Sequence, residues 1–559
     1  MTGLIAATER GAALAAALAR SLPATTTYRG EIGAALARGW RECDSLVLFM
    51  AAGAATRLCA PLLSDKRADP AVVSVDDAGR FAIALLGGHV GANRLAHQVA
   101  TALGATPVVT TASDALDIPA LDSLGADLGF EPEDRRDLAA VGAALVGGGQ
   151  VTLCEDQRWP LPPLPPGVVR RKDPVPPCLV VTDRLVDPPR PAVVYRPKSL
   201  VVGVGCSRGA DAEEILSLIS TTLLEADLSA ASIAHLASVD LKADEAGLSE
   251  AAVALGRPLR LYPVADLRSA TVPTPSKVVQ AAVGTPSVAE AAVLVSGADL
   301  VVGKQRSKMA TVAIGRLRPR GLLHLVGLGP GAPELVPEMA RRALARSEVV
   351  IGLRRYLDQA APFLRPGTRL EPSEVGDELH RAELALREAS AGRAVAVVSG
   401  GDPGVYAMAS PVLERASGAV DVVCVPGVTA ALAVAALLGA PLGHDHCTIS
   451  LSDLLSPWQL IRARLEAAAA ADLVIVIYNP RSRRRKWQLE ETRCLLLQHR
   501  QPSTPVGVVA DAYRPGQRVE ITTLAELDVE SIGMTTTLVV GNSSTKVVNG
   551  RMVTPRGYR

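Results

Sequence analysis

Charge of one sign is what this chain most lacks. Its 58 Lys and Arg stand against 57 Asp and Glu in 559 residues, a formal net charge of +1. That balance removes the long-range attraction that nucleic-acid and anionic-membrane binders use, so small-molecule partners are expected, with no nucleic acid and no membrane. The eight cysteines (Cys43, Cys59, Cys154, Cys178, Cys206, Cys424, Cys447, Cys494) are dispersed and form no C-x-x-C pair. Zinc, iron–sulfur and redox-couple readings lose their support, and buried reduced thiols in a cytoplasmic protein are expected. The opening "MTGLIAATERGAALAAALARSL" lacks a basic leader and is interrupted by Glu9 and Arg10, so it predicts a strand and a helix, not a signal peptide. The most apolar run, "VTAALAVAALLGAPLG", reaches a turn before it would span a bilayer. No short-period repeat and no low-complexity tail is present.

What is present is alternation. Short β-branched runs succeed Ala/Leu/Arg stretches of helical period almost throughout, the pattern of parallel sheets covered by helices, and the length suggests roughly three to four such units. A multidomain α/β fold is therefore predicted. In the first unit, 1–157, "SLVLFMAAG", "AVVSVD", "FAIALLGG" and "PVVTTAS" read as strands whose ends would carry binding groups. Residues 158–198 are dense in proline ("WPLPPLPPGVVRRKDPVPP", "VDPPRPAVVYRP") and read as a connector, with one small strand pair around "CLVVTD". A second α/β unit, 199–315, opens with "LVVGVGCSRG", and "RLRPRG", residues 316–321, marks the seam before a third, 321–559. The third begins with "LLHLVGLGPG", stays α/β through "LVIVIYNP", then changes to alternating strands, "RVEITTL", "TTTLVVGN" and "KVVNGRMVT". Asn549-Gly550 predicts a two-residue hairpin in the last. Two lobes with a cleft between them follow.

The candidate chemistry lies in four loops of the third unit. "VGLGPG" lacks the third glycine of the dinucleotide fingerprint, and no acid stands at the end of a next strand about 20 residues on. Yet "VGLGPG", "SGGDPGVYAM", "VPGVTA" and "IYNPRS" all follow strands, and four such ends in one sheet would converge. Gly400 and Gly401 permit close backbone approach, and Asp402 can accept hydrogen bonds from an amine or a ribose. A ligand with a ribose, an amino group and an apolar or cationic centre, and without phosphates, suits these loops.

The quartet resembles the tetrapyrrole methyltransferase family over residues 321–559, which implies S-adenosylmethionine in a cleft between two α/β lobes. "GHDHCTISLSDLLSPW", "YNPRSRRRKW" and "TTTLVVGNSST" are similar to the branch that methylates C17 of precorrin-3B or cobalt-factor III with ring contraction. The resemblance implies donor contacts at Pro330, Gly400, Gly401, Asp402, Val405, Thr429, Ala430, Asn479 and Ala512, a tetrapyrrole substrate and a homodimer. Asp453 and Asp445 are candidates for substrate handling, with Asp453 as the catalytic choice; a helix N-cap is the alternative for Asp453. In "HDHC", His444 and His446 would share one face of an extended segment and leave Asp445 and Cys447 on the other, so no metal is assigned. Of the basic run, Arg481 and Arg484 are expected to clamp carboxylates, and Arg483, Arg485 and Lys486 to be solvated.

The front of the chain resembles cobalt-precorrin-5A hydrolase from residue 1 to about 315, through residues 51–114 and through "VVGVGCSRGADAEEI", "SVDLKADEAGL" and "TPSKVVQAAVGTPSVAEAAVL". That family opens a lactone and releases acetaldehyde. Ester opening needs a water activator and an oxyanion site. His89 is the candidate base, with the Gly87 and Gly88 amides as donors and Arg57, Asp76 and Asp77 as further polar groups; a turn or cap role is the alternative for His89. Lys242, Asp244, Glu245 and Lys304 either line a groove or are exposed loop charges. Two functions remain open for this half, a lactone hydrolase and a non-catalytic module that binds corrinoid intermediates.

Overall fold

The computed structural model describes residues 1–22, 24–65, 68–88, 91–110, 121–165, 167–482 and 485–558. The chain divides into two compact units, Met1–Pro319 and Arg320–Arg559, with the break inside the predicted seam.

Among the described residues the front unit holds three sheets. The first has the order Thr25–Tyr28, Thr2–Ala6, Ser45–Phe49, Ala71–Val75, Phe81–Leu86, Thr106–Val108, and it contains all four strands predicted there. Its two faces are both covered. Val47, Phe49, Val73 and Val75 pack with Leu95 and Val99 of one helix layer, and Leu46, Leu48 and Val72 with Leu36 and Ala55 of the other, which is why these strands read as continuous apolar runs. The first four strands are parallel. Phe81–Leu86 runs against Ala71–Val75, and Thr106–Val108 follows its direction.

The second sheet corrects the expectation of a connector. Residues 158–198 contribute Val168–Arg170, Cys178–Val181 and Ala192–Arg196 to a five-stranded sheet completed by Glu131–Pro132 and Val151–Glu155. The prolines occupy the links, where no ladder hydrogen bond is required of them, and the runs between them bury Leu179, Val181, Val193 and Tyr195 with Trp159 and Leu161. The first sheet ends at Val108 and the second begins at Glu131, so the first domain stops well short of residue 157. The third sheet, from Leu200 to Leu317, joins the parallel strands Leu259–Tyr262, Ile233–Val239 and Leu200–Cys206 to the antiparallel hairpin Ala310–Leu317 and Ala298–Arg306.

The rear unit has the two predicted lobes. The first is a parallel sheet ordered Arg369–Ser373, Val349–Leu353, Ala394–Ser399, Gly321–Gly327, Val420–Val425. The second is ordered His446–Ser450, Val474–Tyr478, Thr536–Val540, Pro505–Ala510, Arg518–Thr523, and only its first pair is parallel. Lys546–Val548 and Arg551–Val553 form the predicted hairpin, turning at Asn549 (φ 50°) and Gly550 (φ 72°), the left-handed pair that a type I′ turn needs. The run "VTAALAVAALLG" yields the helix Ala430–Leu438. Among the described residues no single helix is long and apolar enough to cross a membrane.

Candidate active site

Three strands lying side by side in the first rear sheet end together, since Gly327 is in register with Ser399 and Val326 with Val425. Their loops then close on one another through bare backbone. The Gly329 N–H donates to the Gly401 carbonyl at 3.1 Å, and the Gly401 N–H to the Gly329 carbonyl at 2.8 Å. A Cβ on Gly427 would stand 2.1 Å from the Gly401 oxygen, and one on Gly327 would stand 2.7 Å from both that oxygen and the Gly427 nitrogen. These glycines therefore serve loop-to-loop packing before any ligand arrives. Gly401 also needs its left-handed φ of 67°, which glycine alone adopts freely.

Asp402 locks the same corner. Its Oδ1 accepts the Gly404 N–H at 2.8 Å and its Oδ2 the Gly427 N–H at 3.0 Å. The carboxylate expected to face a ligand is thus partly committed to the protein, although each oxygen keeps a further lone pair. Val405 follows in the same loop, its N–H on the Asp402 carbonyl at 3.3 Å. Beside them the Ser399 hydroxyl is buried with no hydrogen-bond partner among the described residues.

The fourth loop does not belong to that sheet. "IYNPRS" follows Val474–Tyr478 in the second sheet, because the chain after Val420–Val425 leaves through the helix Ala430–Leu438, which packs Val434 and Leu438 against Val476 and Val509 of the other lobe. Convergence comes from a side chain instead. The Tyr478 hydroxyl accepts the Ala431 N–H at 2.8 Å and shares a 2.5 Å hydrogen bond with Thr429 Oγ1. Burial raises this phenol above its ordinary range, against the lowering effect of those two bonds. Asn479 comes next, at φ 48°, with its Nδ2 donating to Ser450 Oγ at 3.0 Å. Ala512 sits two residues before Arg514, whose Nε donates to the Pro330 carbonyl at 2.6 Å. Pro330, Gly400, Gly401, Asp402, Val405, Thr429, Ala430, Asn479 and Ala512 are thereby held on loops tied to one another. Sequence reasoning passed over Tyr478, Tyr406, Gly427 and Arg514. The first three stood inside the motifs it quoted, but only the fold pairs them.

The substrate candidates separate. Asp453 is exposed and its Oδ2 accepts from Gln488 Nε2 at 2.9 Å; it caps no helix, since Pro457 precedes Trp458–Ala470. It follows the carboxyl end of His446–Ser450, the end where Ser450 meets Asn479. Asp445 lies before the amino end of that strand, its carbonyl accepting the Val474 N–H, and so stands a strand's length away. His444 is outside the strand and accepts the Asp445 N–H at Nδ1, so the shared face expected for His444 and His446 does not form. Arg481 is not a free clamp, because its guanidinium grips the carboxylate and carbonyl of Glu530 with its side chain only 13% exposed. Among the described residues of the run, Arg485, expected to be solvated, touches the site, donating from Nη2 to the Asn479 carbonyl at 2.7 Å, while its buried Nε has no partner among the described residues. Arg484 and Arg483 lie outside the described residues.

In the front unit the expected lactone-opening set is divided. Asp77, which accepts from Thr8 Oγ1 at 2.9 Å, follows the carboxyl end of Ala71–Val75. Gly87 and Gly88 follow Leu86, which is in register with Val72 at that strand's opposite end. The antiparallel turn of Phe81–Leu86 is the cause. Asp76 is spent on the Arg80 and Phe81 N–H groups at 2.7 and 2.8 Å. Arg57 is exposed on the helix Ala52–Cys59, and His89 lies outside the described residues. In the third sheet, Glu245 joins Lys242 Nζ at 2.9 Å to the Gly209 N–H at 3.0 Å, whereas Lys304 Nζ donates to the Thr274 carbonyl.

The glycine loops at the strand ends of this two-lobed sheet pair form a candidate small-molecule site, and comparison with known proteins makes it particular. Residues 322–528 match the family described as Tetrapyrrole (Corrin/Porphyrin) Methylases, and the chain belongs to that family. Ahead of it stand matches to Cobalamin synthesis G N-terminal over 34–114, Cobalamin biosynthesis central region over 119–197 and Cobalamin synthesis G C-terminus over 200–315. The chain is 44% identical over 247 residues, 43% of its length, to the "Cobalt-factor III methyltransferase" of Priestia megaterium, and 48% identical over 248 residues, again 43%, to the "Cobalamin biosynthesis protein CobIJ" of Mycobacterium bovis. It spans about half of those two relatives, 46% and 48%. It spans 99% of the "Probable cobalt-factor III C(17)-methyltransferase" of Salmonella typhimurium at 43% identity over 240 residues, 42% of this chain.

Proposed function

We propose that residues 321–559 transfer a methyl group from S-adenosylmethionine to C17 of precorrin-3B or cobalt-factor III, with ring contraction. The observation that carries this reading is the glycine corner of Gly327, Gly401 and Gly427 locked by Asp402, joined through Tyr478 to the loop of Thr429 and Ala430. Such a corner suits a nucleoside without phosphates, and it fits the donor: the Asp402 oxygens have lone pairs to spare and the buried Ser399 hydroxyl lacks a partner among the described residues. The extent of the likeness to the Salmonella relative supports the choice of reaction. The donor supplies an electrophilic methyl when bound. What the chain's own residues contribute is alignment, a proximity effect that can be worth several kcal/mol. Arg485, beside Asn479, offers a cation to an acidic macrocycle at the same edge, and Asp453 offers a carboxylate there for substrate handling.

For the front unit we propose cobalt-precorrin-5A lactone hydrolysis, supported by the matches to the Cobalamin synthesis G N-terminal, central and C-terminal models, making the whole a bifunctional enzyme of cobalamin biosynthesis. The separation of Asp77 from Gly87 and Gly88 favours the second reading, a module that holds corrinoid intermediates for the methylase. Mass analysis addresses each half with its own substrate: S-adenosylmethionine and the trimethylated precursor, with and without cobalt, for the rear, and cobalt-precorrin-5A for the front. A gain of one methyl supports the rear assignment. Loss of a two-carbon fragment, abolished by His89→Ala, supports the hydrolase, and retention of intermediate without that loss supports the module.

A further inference from the structure

We infer that the rings of Tyr406 and Tyr478 form a cation-binding face for the sulfonium of the methyl donor and so distinguish it from the neutral demethylated product. This rests on the methyl-donor reading above. The two ring centroids lie 5.6 Å apart with their planes tilted by 53°. Expected donor contacts surround them: Val405 precedes Tyr406, Asn479 follows Tyr478, and Thr429 is hydrogen-bonded to Tyr478.

Both hydroxyls are already occupied. Tyr478 binds Thr429 and the Ala431 amide, and Tyr406 donates to the Thr448 carbonyl at 3.0 Å. What the pair has left for a ligand is its ring faces, and Tyr406 is 59% exposed. Arginines lie over Tyr28, Phe81, Phe363 and Tyr356; among the described residues no such cation is recorded over Tyr406 or Tyr478. Tyr406 also holds a left-handed φ of 53°, a conformation that a bulky residue adopts at a cost and that clusters at ligand sites. Asp402 lies near enough to Tyr478 to oppose ionisation of its phenol, so the corner is electronegative without a charged ring.

A cation above an aromatic face is attracted by the ring quadrupole. During transfer the acceptor carbon's electron pair forms the new carbon–carbon bond while the methyl–sulfur bond breaks and its electrons return to sulfur. The sulfonium becomes a neutral thioether, and the attraction that held the donor is lost with the product. Stacking of the adenine on Tyr406 would behave differently, because both ligands carry that base.

The test is calorimetric binding of S-adenosylmethionine and S-adenosylhomocysteine to the full chain, as wild type, Tyr406→Phe and Tyr406→Leu. Tyr406→Phe should leave the ratio of the two affinities unchanged. Tyr406→Leu should weaken the sulfonium ligand by about three- to tenfold more than the thioether. Equal losses for both ligands, or none, would overturn the inference and leave the donor reading in place. Absence of binding by the wild type to either ligand would overturn the donor reading itself.

Discussion

Arg316 and Asp183 are joined by two parallel hydrogen bonds, Nε to Oδ2 and Nη2 to Oδ1, each 2.7 Å long. Asp183 is 4% exposed at its side chain and takes a third bond from Ser199 Oγ at 2.7 Å. It follows Cys178–Val181 in the second sheet, and Arg316 belongs to Ala310–Leu317 in the third, so the pair clips two sheets of the front unit together. Removing one partner would strand a buried charge, at a cost of about 3 kcal/mol. Arg316→Ala should therefore lower the front unit's melting transition in scanning calorimetry, and Arg316→Lys should recover part of the loss because it restores charge without the fork.

Tyr478→Phe keeps the ring and removes the oxygen that caps the helix Ala430–Leu438. The Ala431 N–H and Thr429 hydroxyl lose a partner, at a cost of about 1–2 kcal/mol. The rear unit's transition should fall by that amount, and the dissociation constant for S-adenosylmethionine, read by titration calorimetry, should rise roughly tenfold.

Gly427→Ala asks for a Cβ that would lie 2.1 Å from the Gly401 oxygen. Neither side of that contact is a flexible side chain, so a loop must move, with overpacking of about 1–3 kcal/mol. Donor binding should drop by on the order of a hundredfold, with the front unit's melting transition unchanged. A variant that binds the donor normally would show that the corner tolerates reopening.

Acid should destabilise both units through two histidines. Burial, assisted by Arg260 beside one and Arg346 beside the other, pushes His235 and His324 down to about 4. In the unfolded chain they titrate near 6.5, so between the two values the unfolded state binds the extra proton. Stability is complete above about pH 6.5 and falls as pH drops toward 4, by up to about 3 kcal/mol for each group. Among the described residues His324 Nδ1 is buried without a partner, so His324→Leu should flatten the acid limb of the rear unit's melting temperature between pH 7 and 4.5.

Much of the fold was legible because its signals are local. The strands Ser45–Phe49, Ala71–Val75, Phe81–Leu86 and Thr106–Val108 declare themselves by β-branched runs, and Asn549-Gly550 by the turn it demands. The proline-rich middle misled because a proline count does not distinguish strands from the links between them. "VGLGPG", "SGGDPG" and "VPGVTA" were legible as one edge, since three parallel strands must finish on the same side of a sheet. "IYNPRS" looked like a fourth member, yet its strand lies in the other sheet.

Sequence alone determined the alternation of elements, the two-lobed rear unit and the residue types at the strand ends, for these follow from side-chain periodicity and backbone permissiveness over a few residues. Tertiary structure decided which of those ends meet. Strand direction set Gly87 and Asp77 at opposite ends of Ala71–Val75, and packing between distant segments committed Arg481 to Glu530 and left Arg485 against Asn479. Long-range pairing chose these partners, by burial and hydrogen bonding between segments far apart in the chain.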